Sequence, residues 1–202
     1  MRSIKDIFRS YAEFNAEGKH VNGTDKESNH HYGDTYESLF IVKDVKSEPS
    51  NTIHMSYPRS RRLEVELMME VGVADGSCLL AWRDVFPNAT IVGMDIHHSD
   101  KAHGERIEFH LGNATNQADC VRAAAGRQFD LIVDDATHLL EDALRTLFYL
   151  WPSVRPGGLY VIEEFYGGPA ENITAMWPFA EIIPTMGPFG GIEPLVVLRR
   201  PI

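Results

Sequence analysis

From residue 63 onward, short apolar runs alternate with longer stretches whose apolar positions recur every three or four residues. Leu67–Val71, Thr90–Asp95, Arg106–Leu111, Phe129–Val133 and Leu159–Ile162 have strand length and are bounded by turn residues. Ser77–Phe86, Gln117–Ala125 and Leu139–Leu150 have helical spacing, the first stopped by Pro87 and the second by Gly126. Strands that alternate with helices of this length predict a parallel sheet covered on both faces. With Pro194–Leu198 as a last strand, the expectation is an α/β, Rossmann-like doubly wound sheet, mostly parallel, of about seven strands.

Outside that region the pattern is less regular. In residues 1–16, Ile4, Ile7, Phe8, Tyr11 and Phe14 form one helical stripe, which predicts a short amphipathic helix. Residues 17–34, with Gly18, Gly23 and Gly33 among His20, His30 and His31, read as a loop of the polar kind that carries function. Tyr36–Val45 resumes as a helix or short strand, and Ser47–Asn51 marks a turn. Prolines and glycines crowd residues 166–194, which predicts a structured loop or lid. The division expected is a helix-and-lid segment over 1–62 and a nucleotide-binding domain over 63–202.

Composition narrows the function classes. The 202 residues carry 19 basic and 29 acidic side chains, a net charge of −10. That sign argues against a coat for nucleic acid or for an anionic membrane. No apolar run approaches a bilayer span, and charge interrupts the N-terminus too often for a signal peptide. A cytoplasmic protein without a membrane or nucleic-acid partner is the expectation. Cys78 and Cys120 lack metal-type spacing and read as free thiols on helices.

The first strand leads into Glu70-Val71-Gly72-Val73-Ala74-Asp75-Gly76-Ser77, a turn whose glycines let backbone approach a ligand. Asp95, at the end of the next strand, can accept both hydroxyls of a ribose. The glycine spacing is not that of a pyrophosphate-binding turn, so a nucleoside ligand without phosphates fits better. S-adenosylmethionine has that chemistry, and its sulfonium suits the acidic Glu70 and Asp95. Glu70, Gly72, Gly76, Ser77 and Asp95 are therefore the cofactor candidates, and Asp134 is grouped with them.

The fourth strand runs into Asp134-Asp135-Ala136-Thr137-His138 and the fifth into Glu163-Glu164. In a doubly wound sheet those ends are neighbours, and four carboxylates together repel one another unless a cation joins them. Oxygen donors of this kind suit Mg²⁺ or Ca²⁺. The plainer reading, in which an acid caps a following helix, accounts for one of the Asp pair but not for both glutamates. His138, three residues beyond Asp135, has the proton affinity of a general base.

These stretches carry a resemblance. Glu70-Val71-Gly72-Val73, Ala81-Trp82-Arg83-Asp84, Phe86-Pro87-Asn88-Ala89 and Gly93-Met94-Asp95-Ile96 resemble segments of the macrocin- and mycinamicin-type sugar O-methyltransferases, to which a cephalosporin-hydroxylase-type branch is related. Phe129 to His138 is similar to the family's F-D-x-I-x-D-D-x-S-H, and Pro156 to Glu164 to its P-G-G-x-Y-V-I-E-D. Gly23-Thr24-Asp25-Lys26, with His31-Tyr32 and Tyr36, looks like its G-T-D-K…H-x-Y…Y stretch. The resemblance implies a Mg²⁺- and S-adenosylmethionine-dependent O-methyltransferase, with Asp135, Glu163 and Glu164 as metal ligands, His138 as base and a hydroxylated small molecule as acceptor. It also implies an adenine contact at Asn113, where the family has an acid. The chain departs from the family at Glu164, where Asp is usual, and at Ala136-Thr137, where Gly-Ser is usual.

Two rivals stand beside this reading: an oxidoreductase with a nicotinamide cofactor, and a non-catalytic binder of S-adenosylmethionine. The missing dinucleotide turn speaks against the first and the retained acid cluster against the second. Phe165, Tyr166, Trp177, Phe179 and Phe189 read equally as walls of the acceptor pocket or as the interface of a homo-oligomer.

Overall fold

The computed structural model describes residues 2–43, 60–62, 64–164, 171–187 and 192–202. The expected turn at Ser47–Asn51 and the aromatic residues Phe165, Tyr166 and Phe189 lie outside them.

In chain order the elements are α1 (Ile4–Ser10), β1 (Ala12–Phe14), β2 (His20–Gly23), α2 (Tyr32–Phe40), β3 (Ile41–Lys43), β4 (Ser60–Arg62), β5 (Leu67–Val71), α3 (Ser77–Val85), β6 (Thr90–Asp95) and β7 (Ile107–Leu111). There follow α4 (Gln117–Ala124), β8 (Phe129–Asp134), α5 (Leu140–Leu150), β9 (Val154–Ile162), α6 (Glu171–Met176), β10 (Ala180–Met186) and β11 (Ile192–Arg199). A seven-stranded sheet runs in the order β10-β11-β9-β8-β5-β6-β7. Its five strands from β9 to β7 are parallel, and β11 and β10 add antiparallel pairings at one edge. The Rossmann-like, mostly parallel sheet expected from the alternation is the fold observed. Both faces are covered, which is why its central strands read as unbroken apolar runs: every residue of β8 is buried.

The N-terminal region differs from its reading in one respect. The helix stops at Ser10, where the Tyr11 N–H turns back to the Phe8 carbonyl. Ala12–Phe14 then pairs with His20–Gly23 as a hairpin. Ile4, Ile7 and Phe8 are buried, whereas Phe14 is 42% exposed, so the expected stripe ends where the helix does. Pairing across a turn that Gly18 makes with φ +78° wins over the helical spacing.

The expectation of a loop or lid over 166–194 is corrected by α6 and β10. Six helical residues are followed by a strand that joins the sheet edge. The prolines that read as punctuation are accommodated because Pro184 and Pro194 face each other in the β10–β11 ladder. Neither needs to donate there, and β10 is an edge strand. Trp177 and Phe179 pack with Trp151 at ring separations of 5.1 and 5.5 Å, on the α5 side of the sheet, and line neither of the cavities described below.

One packing layer matters for the site. Phe8, Tyr36, Phe40 and Phe86 surround Trp82 edge-on or stacked, at 4.9 to 6.2 Å between ring centres. This aromatic cluster fastens α1 and α2 onto α3, and with them the 24–31 loop that crosses the carboxyl ends of the strands. Among the described residues no helix is long and apolar enough to cross a membrane.

Candidate active site

Parallel strand order brings the expected acids to one edge. Asp134 pairs with Ile162 across β8 and β9, so Asp135 and Glu163 leave the sheet side by side, with the Glu163 N–H donating to the Asp134 carbonyl at 2.9 Å. β5 lies on the other side of β8 and delivers Glu70 and the glycine turn. Two adjoining cavities open here. One, of about 280 Å³, is lined by Gly23, Asp25, Gly72, Asp75, Cys78, Asp95, Asp135, His138 and Glu164 among others. The second, of about 400 Å³, is lined by residues including Met94, Asp95, His97, Gly112, Asn113 and Thr137. Gly72, Ala74, Asp95 and Ala136 border both.

The glycine turn divides its work. Gly72 sits at φ +82°, and a Cβ there would lie 2.1 Å from the Asp135 carbonyl oxygen, so only glycine lets the two strand ends meet. Gly76, at φ +86°, packs instead against the 99–102 segment, and Ser77 bonds Asp75 through its N–H and its hydroxyl, both at 2.9 Å. Gly76 and Ser77 line neither cavity and hold the start of α3. Asp95 Oδ2 accepts from the N–H groups of Val73 and Ala74 at 2.9 and 3.1 Å, and Oδ1 from His97 N–H at 2.8 Å. The carboxylate is thus pinned to the turn, with lone pairs left for a ligand. The Asn113 side-chain oxygen accepts from the N–H and hydroxyl of Thr115 while the residue borders the second cavity.

The acids fall into three groups. Asp134 turns to the opposite face from Asp135 and accepts from the Tyr160 hydroxyl at 2.9 Å. It lines neither cavity, and burial pushes its carboxyl up to about 7 against the pull of Tyr160. Glu70, Asp135 and Glu163 meet at Lys26. The Lys26 Nζ lies 3.2 Å from Glu70 and 2.9 Å from Asp135 and bonds Glu163, while only 1% of the lysine side chain is exposed. Glu70 also accepts from the Trp82 indole N–H at 3.0 Å, and Glu163 from the Tyr36 hydroxyl. Burial lifts Glu70 to about 7 and Glu163 well above the carboxylate range, with Lys26 opposing both. The lysine itself is held above its ordinary value, since Asp135, Glu163 and Glu70 outweigh its burial.

Glu164, at φ +40°, belongs to the third group. It lies 2.8 Å from His30 Nδ1, which also meets Glu193 at 2.8 Å, while His30 Nε2 faces Asp25 at 3.2 Å. His30, Glu164 and Glu193 are the one set among the described residues whose ligand atoms lie within 4.8 Å of one another as a metal would require. Burial lowers the His30 pKa, but the hydrogen bonds of Asp25, Glu164 and Glu193 raise it to about 11. His138 borders the first cavity with Nδ1 3.9 Å from Asp135 Oδ1, held at φ +58° just before α5. Asp135, Glu163 and Glu164 offer the carboxylate oxygens that Mg²⁺ prefers, but they stand in two groups, Asp135 and Glu163 around the Lys26 ammonium and Glu164 against His30.

Lys26, His30 and Glu193 take no part in the site as read from the sequence. Lys26 stands in the G-T-D-K stretch, but nothing local marks a lysine as buried, and Glu193 reaches His30 because the β10–β11 hairpin extends beyond the end of β9.

Comparison with known proteins bears on this geometry. Residues 69–165 match the sequence model of a methyltransferase domain. The chain is 33% identical over 129 residues to demethylmacrocin O-methyltransferase of Streptomyces fradiae, and the match covers 59% of this chain and 31% of that protein. It is 32% identical over 130 residues to mycinamicin VI 2''-O-methyltransferase of Micromonospora griseorubida, covering 59% and 30%. The chain thus spans about a third of the length of these relatives. The structure of the MycE methyltransferase of the mycinamycin biosynthetic pathway, in complex with Mg, SAH and mycinamycin VI, superposes with a TM-score of 0.57 at 24% identity, covering 88% of this chain and 39% of that one. That likeness shows the fold. Over residues 69–165 the chain is thus similar to a methyltransferase domain, and the relatives it matches are O-methyltransferases named for macrocin and mycinamicin.

Proposed function

We propose that this chain is an S-adenosylmethionine-dependent O-methyltransferase acting on a hydroxyl of a sugar or another polyhydroxylated small molecule of natural-product type. One observation carries the reading: the cavity bordered by Asp95 and Asn113 adjoins the cavity bordered by Asp135 and His138, with four wall residues in common. A nucleoside cofactor and a hydroxyl acceptor can therefore meet across Gly72 and Ala136. Further relatives are named as O-methyltransferases of rhamnosyl-tetracenomycin and olivosyl-oleandolide compounds, which supports the acceptor class.

In this reading the Asp95 carboxylate takes the ribose hydroxyls and Asn113 contacts the adenine edge. Gly72 keeps the passage between the cavities open, and the neighbouring carboxylates favour the positive sulfonium. His138 takes the proton of the acceptor hydroxyl as the oxygen attacks the methyl group. The walls hold nucleophile, methyl and leaving sulfur in line, which is the main source of rate in such a displacement. Asp135, Glu163 and Glu164 would hold Mg²⁺, whose chemistry when bound is to orient the acceptor and lower the pKa of its hydroxyl.

The test is transfer of labelled methyl from S-adenosylmethionine to a panel of glycosylated macrolides, free deoxysugars and catechols, with Mg²⁺ and with chelator. We expect transfer to a glycosylated member, lost in chelator, and a fall of roughly 100-fold or more in His138→Ala. No transfer to any member, or binding of NADH in place of S-adenosylmethionine in a calorimetric titration, would refute the proposal.

A further inference from the structure

The cation place between Asp135 and Glu163 is filled by the chain itself. Lys26 projects from the loop after β2, 109 positions before Asp135 and 137 before Glu163. The loop is fixed by its own backbone, with Asn29 N–H donating to the Asp25 carbonyl at 2.9 Å and Tyr32 N–H to the Lys26 carbonyl at 2.7 Å. The lysine stem is buried, so the ammonium is placed rather than wandering from the surface. It touches three carboxylates, and the second oxygen of Glu70 has no hydrogen-bond partner among the described residues. Remove the ammonium, and three acids are left in a buried pocket without a counter-ion, a state that favours uptake of any cation of the right size.

We propose that Lys26 is a positioning residue that competes with the divalent ion for Asp135 and Glu163, so that metal enters this chain only by drawing those oxygens away from the ammonium. Lys26 therefore sets the metal affinity and makes it weak. The inference rests on the functional reading above only in taking Asp135 and Glu163 as metal ligands.

The experiment compares Mg²⁺ binding by calorimetry, and Mn²⁺ binding by electron paramagnetic resonance, in the full chain and in Lys26→Met, which keeps the stem and removes the charge. Binding is expected to tighten about tenfold or more in Lys26→Met, and added Mg²⁺ to raise the melting temperature of the variant more than that of the parent. Lys26→Arg, which keeps the charge, should bind as weakly as the parent. Equal or weaker binding in folded Lys26→Met overturns the proposal, as does parent binding that depends on His30 and Glu193 but not on Asp135. If Lys26→Met does not fold, the ammonium resonance of Lys26 in the ¹⁵N-labelled parent gives the answer. It is expected to move or exchange faster as Mg²⁺ saturates, and a signal unchanged at saturation overturns the proposal. Methyl-transfer assays separate the two ideas: tighter binding in Lys26→Met without transfer in the parent sinks the methyltransferase reading alone, and transfer without tighter binding sinks this one alone.

Discussion

Gly72 packs against the carbonyl of Asp135 so closely that a Cβ on the glycine would stand 2.1 Å from that oxygen. The contact joins the end of the first core strand to the start of the acid segment, and it is where the two cavities share a wall. Gly126 offers a control, since it has φ +71° but nothing within 4 Å of the added atom. Gly126→Ala should cost only the left-handed penalty of about 1–2 kcal/mol. Gly72→Ala must also push two strand ends apart, so a loss of roughly 3 kcal/mol or more is expected. Thermal melts with and without S-adenosylmethionine check this: Gly72→Ala should lose the ligand-induced rise that Gly126→Ala keeps.

In the proposed function Asp95 has two duties that an amide separates. One oxygen holds Val73 and Ala74, the other His97, and the spare lone pairs face the cavity. Asn can keep its oxygen on the turn, but it then offers a donor where ribose needs an acceptor. Asp95→Asn, whose amide nitrogen would also face the His97 N–H, should therefore cost about 1–2 kcal/mol of stability and bind S-adenosylmethionine roughly tenfold more weakly. Asp95→Ala leaves the turn N–H groups without their acceptor and should lose both stability and binding. Denaturant melts paired with calorimetric titrations read the split, and equal affinity in Asp95→Asn would remove Asp95 from the ribose site.

Cys120 supplies a pH dependence away from the site. Burial, reinforced by the charges of Asp134 and Asp119, pushes its thiol up to about 12. A thiol raised in the folded state contributes stability that is full below its unfolded pKa, near 8.5, and is lost as pH rises toward 12. At pH 9 about one molecule in 1,000 carries the thiolate. Alkylation by iodoacetamide at that pH should be slow in the native chain and fast once denaturant is added. Mass spectrometry of the labelled peptide tests this, and fast native labelling of Cys120 would show that the thiol is not buried as described.

The centre of the sheet was legible because β5, β6 and β8 are short, largely apolar and buried on both faces, a pattern no amphipathic helix shares. The acids were legible as a group because they end two strands that this topology makes neighbours. Their partners were not. Lys26 lies in a loop with no period to read, and its burial depends on an aromatic cluster drawn from α1, α2 and α3. Period-two alternation along β8 held the information that Asp134 and Asp135 face opposite sides, but two adjacent acids at a strand end read as one motif. Gly76 and Ser77 share one run of eight residues with Gly72, and the sequence does not separate the part that borders the cavities from the part that starts α3.

That alternation yields a last comparison between adjacent residues of like chemistry. Asp134 is buried against Tyr160 beneath the sheet end, with a carboxyl lifted to about 7, and borders neither cavity. An amide of the same shape can accept from the Tyr160 hydroxyl without a charge to bury, so Asp134→Asn should be neutral in stability to within about 1 kcal/mol. Its affinity for S-adenosylmethionine should stay within roughly threefold of the parent. Asp135 borders the first cavity, touches Lys26 and lies 3.9 Å from His138. Asp135→Asn removes a charge from the acceptor side and should lower methyl transfer about 100-fold or more while leaving cofactor affinity nearly unchanged. Titration with S-adenosylmethionine and single-turnover transfer, run on both variants, decide the point. If Asp134→Asn is the variant that loses cofactor binding, the carboxyl beneath the sheet reaches the ligand, and the placement of these two acids on opposite faces has to be abandoned.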